Sequence, residues 1–268
     1  MDWTMLPVLL ALGAVVGFLA GLLGIGGGLS MIPLLAIVFG ARGFPAEHVV
    51  HMAVATSTAT MMFTAASSAH AHARRGGVLW GVVIAMAPGI IVGSLVGPQI
   101  AAVLSGRVLA ALLGVFTWTA GTRMIFARAA RPGPELPGKP ALFGVATGIG
   151  VVSSLAGAGG AFITVPYLGY HNVRIQNAVA TSAALGFPIA VAATIGYAIA
   201  GWHRAGLPAW SLGYVYLPAM AMLLIASVST APLGASMAHR WNAQRLRRAF
   251  AVLLYVLGAY MFWRAARG

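Results

Sequence analysis

Acidic side chains are nearly missing from this chain: Asp2, Glu47 and Glu135 are the complete set in 268 residues. None lies in the middle of an apolar run, which excludes a buried carboxylate proton relay and a carboxylate-rich cation site. Cysteine is absent, so disulfides, thiol nucleophiles and thiolate metal ligands are excluded as well. Charged residues of every kind amount to 7%, where a soluble domain carries about a quarter. That is too little charge to cover a water-facing surface. The residues that remain offer no paired acids, no acid–His–Ser set and no metal cluster, so neither an enzyme nor a cofactor is expected.

What is present is apolar. Hydrophobic residues make up 60% of the chain and the mean hydropathy is +0.91, a composition for which a bilayer is the fitting solvent. Apolar stretches cover roughly 5–40, 47–72, 77–104, 106–127, 140–169, 175–201, 209–238 and 242–263. A helix needs about 20 residues to cross the hydrocarbon core, and six of these stretches suit single crossings. The first and fifth are long and interrupted by glycines. The N-terminus, Met1-Asp2-Trp3-Thr4, has no basic region, and its apolar run continues past Gly21. It therefore reads as a retained membrane segment rather than a signal peptide.

The net charge of +13 does not describe a nucleic-acid binder. Its 16 basic residues stand in short clusters between apolar runs, such as Arg74-Arg75 and Arg245, Arg247 and Arg248. Clusters of that kind belong to the cytoplasmic loops of membrane proteins, and no nucleic-acid partner is expected. Heavy use of Gly, Ala and Arg, with Lys139 the only lysine, points to a GC-rich bacterial genome and hence to a bacterial inner membrane.

The chain is duplicated. Gly24-Ile25-Gly26-Gly27-Gly28-Leu29-Ser30-Met31-Ile32-Pro33 matches Gly157-Ala158-Gly159-Gly160-Ala161-Phe162-Ile163-Thr164-Val165-Pro166 at an offset of 133. Ala55-Thr56-Ser57 matches Ala180-Thr181-Ser182 at an offset of 125. The expected organisation is a first membrane repeat over 1–130, a polar linker over 131–140 and a second repeat over 141–268. Duplicated halves with glycine-interrupted segments in corresponding places are the signature of secondary transporters.

The basic residues discriminate between two arrangements of the halves. If each glycine-broken segment crosses once, the repeats are parallel and the two sides carry 9 and 7 Lys or Arg. If each is a hairpin returning to its starting side, the repeats are inverted and the split is 11 to 5, with Asp2 and Glu47 on the poor side. The positive-inside tendency favours the second. The expected fold is an all-α polytopic membrane protein of two inverted-topology repeats, each a glycine-broken hairpin segment followed by three transmembrane helices. Both termini lie outside.

Glycines let the chain leave helical geometry, and a helix that restarts presents free amides and the positive end of its dipole, a natural anion site. Two breaks facing each other would make one anion cavity. Its expected lining is Gly26, Gly27, Gly28, Ser30, Thr56, Ser57, Gly159, Gly160, Ala161, Thr164, Thr181 and Ser182, backbone amides forming the cradle and hydroxyls orienting the oxygens. Other glycines repeat every fourth residue (Gly13, Gly17 and Gly21; Gly89, Gly93 and Gly97; Gly144 and Gly148), the spacing of close helix packing. Arg74 and Arg75 would gather anions at the cytoplasmic entrance. Arg123, near a helix end, is expected to snorkel to the interface. His48, His51, His70, His72, His171 and His203 fall near loop ends; His70 and His72, two apart, do not share a helix face.

These motifs resemble the TauE/SafE family of membrane permeases, through Gly17-Phe18-Leu19-Ala20-Gly21-Leu22-Leu23-Gly24-Ile25-Gly26-Gly27-Gly28, Pro33 and Ala55-Thr56-Ser57, with the second copy from Gly157 to Pro166 and Ala180-Thr181-Ser182. The resemblance implies export of sulfite, sulfonates or related organosulfur anions. One departure is Ala161 where the first copy has Gly28, which implies an asymmetric site. The expected function is a secondary transporter exporting a small sulfur-containing anion by alternating access. Its partners are the anion, the bilayer and, left open, a coupling proton or sodium ion; the residues set no oligomeric state. An anion channel and a metal-ion transporter using His48, His51, His70 and His72 stand as alternatives.

Overall fold

Lipid offers a backbone no water to bond with, so a chain this apolar satisfies its amides internally, as helices. The computed structural model describes residues 5–23, 28–126, 133–157, 159–238 and 243–267. The first half comprises α1 (Met5–Leu23), α2 (Gly28–Ala41), α3 (Val49–Arg74), α4 (Trp80–Val103) and α5 (Gly106–Phe126). The second comprises α6 (Lys139–Leu155), α7 (Ala161–Tyr170), α8 (Ile175–Gly201), a hairpin of β1 (Ser211–Leu212) and β2 (Val215–Tyr216), α9 (Leu217–Ala238) and α10 (Ala243–Arg267). Among the described residues, α3, α4, α5, α8 and the Phe250–Arg267 part of α10 are long and apolar enough to cross a membrane.

The polarity is that of a protein dissolved in lipid. Val103 and Ile84 are 79% and 71% exposed, whereas Ser30, Thr56, Ser57 and Thr181 are at 0%. A soluble fold has the opposite bias. The chain is a multi-pass, all-α membrane protein.

The principal packing partners cross between the halves. α1 lies along α9, α4 along α6, α5 along α10 and α3 against α8. The glycines supply the directions. Gly13 faces Leu223 and Ala226, and Gly17 faces Ser227 and Thr230, so α1 and α9 run the same way. Gly89 faces Phe143, Gly93 faces Thr147 and Gly97 faces Ser154, so α4 and α6 also run together. By contrast, Gly114 faces Phe262 while Gly121 faces Leu254, and α5 and α10 run oppositely. So do α3 and α8, where Gly77 faces Ala180 and Ala65 lies by Gly186.

Gly144 and Gly148 depart from expectation, for a Cβ on either would meet nothing within 4 Å. They lie on the far side of α6, which instead presents Ala146, Ile149 and Gly150 to α4. A four-residue spacing identifies a helix face and not which face is covered.

Each glycine-broken segment doubles back. Phe39, near the end of α2, packs edge-on against Tyr216 at 5.9 Å, beside the start of α9 and hence at the end of the bundle where α1 begins. The end of α7 behaves likewise: Asn172 Nδ2 donates to the Gly133 carbonyl at 2.6 Å, and His171 Nδ1 lies 3.0 Å from the Pro134 and Glu135 carbonyls. Both contacts fall on the segment leading into α6.

The apolar stretch 209–238 is not helical from its start. Its first part is the hairpin, with Ser211 paired to Tyr216 and Leu212 to Val215. Gly213, at φ +56°, supplies the turn conformation a two-residue hairpin loop requires. The hairpin's Tyr214, Val215 and Tyr216 are buried against α3 and α8, so apolarity here marks a plug and not a crossing.

Candidate functional site

The two breaks meet. A Cβ on Gly28, the first residue of α2, would stand 2.5 Å from the Gly157 carbonyl oxygen and also strike the Met61 sulfur. Gly157, at φ +55°, faces Ile32 and Val54. Gly160, at φ +75°, is the N-cap of α7. Left-handed backbone of this kind is costly for other residues and free for glycine. Gly159 completes the junction, with the Met61 methyl 3.2 Å from where its Cβ would stand. Gly26 and Gly27 lie outside the described residues.

At the start of α7, the Ile163 and Thr164 amides bond back to the Gly160 carbonyl at 3.0 and 2.8 Å. The amides ahead of them, on Ala161 and Phe162, have no intrahelical acceptor, as at any helix start. Two hydroxyls border the same point: Ser153 Oγ at 3.3 Å and Thr164 Oγ1 at 3.6 Å from the position of a Gly160 Cβ. Both are buried and neither has a hydrogen-bond partner among the described residues. Ser57 and Ser182, the matched serines of the two Ala-Thr-Ser motifs, are buried and unpartnered too.

Unpartnered buried hydroxyls cost on the order of 1–3 kcal/mol each, and helices normally absorb them by bonding the preceding turn. Neighbours do just that: Thr58 donates to the Val54 carbonyl at 2.7 Å and Thr60 to the Thr56 carbonyl at 2.9 Å. Ser57, between them, does not.

The matched threonines are differently employed. Thr56 Oγ1 accepts from the Tyr216 amide, and Thr181 Oγ1 accepts from the Leu79 amide, each at 3.0 Å. Leu79 precedes α4 and Tyr216 precedes α9, so each motif threonine tethers the start of a helix from the opposite half. Ser30 is buried and has a partner of its own. Of the expected hydroxyls, Thr164, Ser57 and Ser182 have no partner among the described residues, whereas Thr56 and Thr181 are engaged as acceptors.

Arg123 does not simply snorkel. Its guanidinium donates to the Phe162 carbonyl at 2.8 Å, tying α5 to the first turn of α7. Arg74 and Arg75 are exposed at the end of α3. At the opposite end of the bundle, Glu47, Arg107, Trp263, Arg264 and Arg267 line a cavity of about 530 Å3, and Arg204 bonds the Ala102 carbonyl nearby at 3.1 Å. Guanidinium groups thus stand at both ends of the bundle.

The histidines are not brought together. His48 and His51 lie at one end of α3 and His70 and His72 at the other; nineteen helical residues rise ~28 Å, which separates the two pairs far beyond any coordination sphere. Among the described residues no three His, Asp or Glu gather as metal ligands. His51 is instead a buried pin, Nε2 2.9 Å from the Ala101 carbonyl and the ring stacked on Tyr214 at 5.2 Å. Burial raises the Tyr214 phenol above its ordinary range, against a smaller opposing effect of Arg204.

Two residues here carry no mark in the repeat comparison. Ser153 corresponds to Ala20 at the 133 offset, and Met61 to Gly186 at the 125 offset. Matching the halves finds what they share, and these positions matter through what they do not. A serine in the last turn of an apolar helix, just before a break, was the available signal for Ser153.

A family model described as sulfite exporter TauE/SafE matches residues 9–261. A "probable membrane transporter protein" of Haemophilus influenzae is 31% identical over 262 residues, 97% of this chain and 99% of the relative. Another of the same name, from Xylella fastidiosa, is 28% identical over 97% of this chain and 96% of its own length. A further one, from the archaeon Methanocaldococcus jannaschii, is 28% identical over 96% and 95%. No solved structure matches.

Proposed function

The chain belongs to the TauE/SafE family of membrane transporters, and from that premise we propose that it exports a small sulfur-containing anion by alternating access of two inverted repeats. Sulfite, a sulfonate or a sulfoacetate-like anion is the cargo, and a bacterial inner membrane is the setting. The observation that carries the proposal is the junction itself: two glycine breaks in contact, a free helix start at Ala161, and buried hydroxyls of Ser57, Ser153, Thr164 and Ser182 left without partners. Amides and hydroxyls in a dry site are donors with nothing to donate to, and an oxyanion supplies what they lack. The family description favours sulfur among the oxyanions.

The inverted arrangement is supported by direction and by charge. Equivalent helices α3 and α8, and α5 and α10, run oppositely, as a twofold axis in the membrane plane requires and one along the membrane normal does not. Arg107, Arg264 and Arg267 share one mouth with Glu47, matching the poor side of the 11 to 5 split. Single cysteines replacing Arg74 and Arg204 in this cysteine-free chain, which share a face if the repeats are parallel, are expected to label from opposite faces of the membrane. Labelling from the same face would contradict inversion.

Contact between the breaks favours a carrier over a channel. With Gly28 against the Gly157 carbonyl and Met61 against both breaks, no anion passes until the halves move. Proteoliposomes holding the protein are expected to take up labelled sulfite or sulfoacetate faster than protein-free liposomes and to saturate with concentration. Equal rates would remove the assigned cargo.

A further inference from the structure

We infer that Met61 sets which sulfur anions the site admits, as a movable plug between the two breaks; this rests on the transport function proposed above and names a selectivity element within it. Met61 is buried, its sulfur against Gly28 and its methyl 3.2 Å from the Cβ position of Gly159. It is four residues beyond Ser57 on α3 and therefore shares that unpartnered serine's helix face. The equivalent position on α8, four beyond the unpartnered Ser182, is Gly186, whose missing side chain faces the Gly159 carbonyl at 3.3 Å. One repeat thus covers its serine with a flexible side chain, and the other brings the Gly159 backbone against that position instead.

The residue type suits the role. Methionine is unbranched, with a polarisable thioether and three rotatable bonds, so it can swing aside without moving the backbone. A leucine or isoleucine there would fill the gap rigidly. An anion built on a single sulfur centre, such as sulfite, needs only the tip of the side chain displaced. A sulfonate carrying a two-carbon arm needs the whole thioether out of the way. The wild-type site therefore prefers the single-centre oxyanion, and the preference resides in Met61 rather than in the hydroxyls, which meet the oxygens common to both.

The test is uptake of labelled sulfite into proteoliposomes, competed by unlabelled sulfite, methanesulfonate and sulfoacetate, for wild type, Met61→Ala and Met61→Leu. A size-exclusion profile matching wild type establishes that each variant is folded; Met61→Val replaces the alanine variant if that fails. Met61→Ala is expected to strengthen sulfoacetate competition relative to sulfite competition by about tenfold or more, the range that one or two buried carbons command in a selective pocket. Met61→Leu is expected to keep the wild-type preference and slow uptake. A sulfoacetate-to-sulfite ratio unchanged by Met61→Ala, with transport intact, overturns the inference and leaves the transport function standing. Wild-type liposomes that take up none of the anions overturn both.

Discussion

Replacing Ser57 and Ser182 together with alanine is expected to lower sulfite uptake by about a hundredfold or more while leaving the empty protein as stable as wild type or more so. The two effects have opposite signs because the hydroxyls have no partner among the described residues. Removing an unpaired buried hydroxyl relieves a desolvation cost of roughly 1–3 kcal/mol. With the anion bound, the same hydroxyl donates a charge-assisted hydrogen bond, worth about 1.5–3 kcal/mol, and two such losses compound. A structural serine behaves otherwise, its loss lowering stability and activity together. Thermal unfolding with and without sulfite, beside the uptake rate, separates the cases. Unchanged uptake in the double variant would remove these serines from the site.

Gly160→Ala is expected to abolish uptake and to destabilise the protein by about 2–5 kcal/mol. Two penalties combine. A left-handed φ of +75° costs an alanine about 1–2 kcal/mol, and its Cβ would stand 2.6 Å from the Ile189 δ-carbon, an overpacking worth about 1–3 kcal/mol. Both fall on the N-cap of α7, so the amides of Ala161 and Phe162 lose their aim along with the hydroxyls of Ser153 and Thr164. Gly206→Ala is the matched control, since Gly206 has a φ of +80° with nothing within 4 Å. It carries the backbone strain alone and is expected to transport normally. Equal behaviour of the two variants, measured by uptake and thermal unfolding, would show that strain rather than site geometry decides.

Much of this architecture is legible in the residues, for definite reasons. Apolar stretches bounded by arginine clusters mark the helices because lipid permits few alternatives, and the doubled Gly–Pro and Ala-Thr-Ser motifs mark the junction because both copies meet there. Legibility ends where local pattern ceases to determine a partner. Thr56 and Ser57 are adjacent hydroxyls in one motif, yet one tethers the Tyr216 amide and the other is unpaired; only the opposite half decides which. Gly93 and Gly148 repeat at the same spacing, but one lies on a backbone and the other faces open space. The apolar run from 209 reads as helix until Gly213 turns it, and Trp210, at φ +68°, ends any helical continuation. Ser153 and Met61 escape because they break the symmetry that exposes the rest.

That asymmetry bears on the transport cycle. The break before α7 holds two unpartnered hydroxyls, whereas the first-half counterparts of Ser153 and Thr164 are Ala20 and Met31. On the function proposed above, the second break would hold the anion chiefly, with Met61 of the first half closing over it. Alternating access, as proposed, would need the α2–α3 side to shift relative to α7 and α8, and the buried Thr56 and Thr181 tethers between the halves are contacts such a shift would exchange.

Counterflow tests the central claim most directly. Proteoliposomes loaded with unlabelled sulfite and diluted into a trace of labelled sulfite should accumulate label transiently above its equilibrium level, because unlabelled sulfite inside competes with the entered label for the inward-facing site and holds back its exit. Monotonic equilibration, with a rate indifferent to sulfite on the far side, would contradict alternating access at this junction and leave a channel in its place.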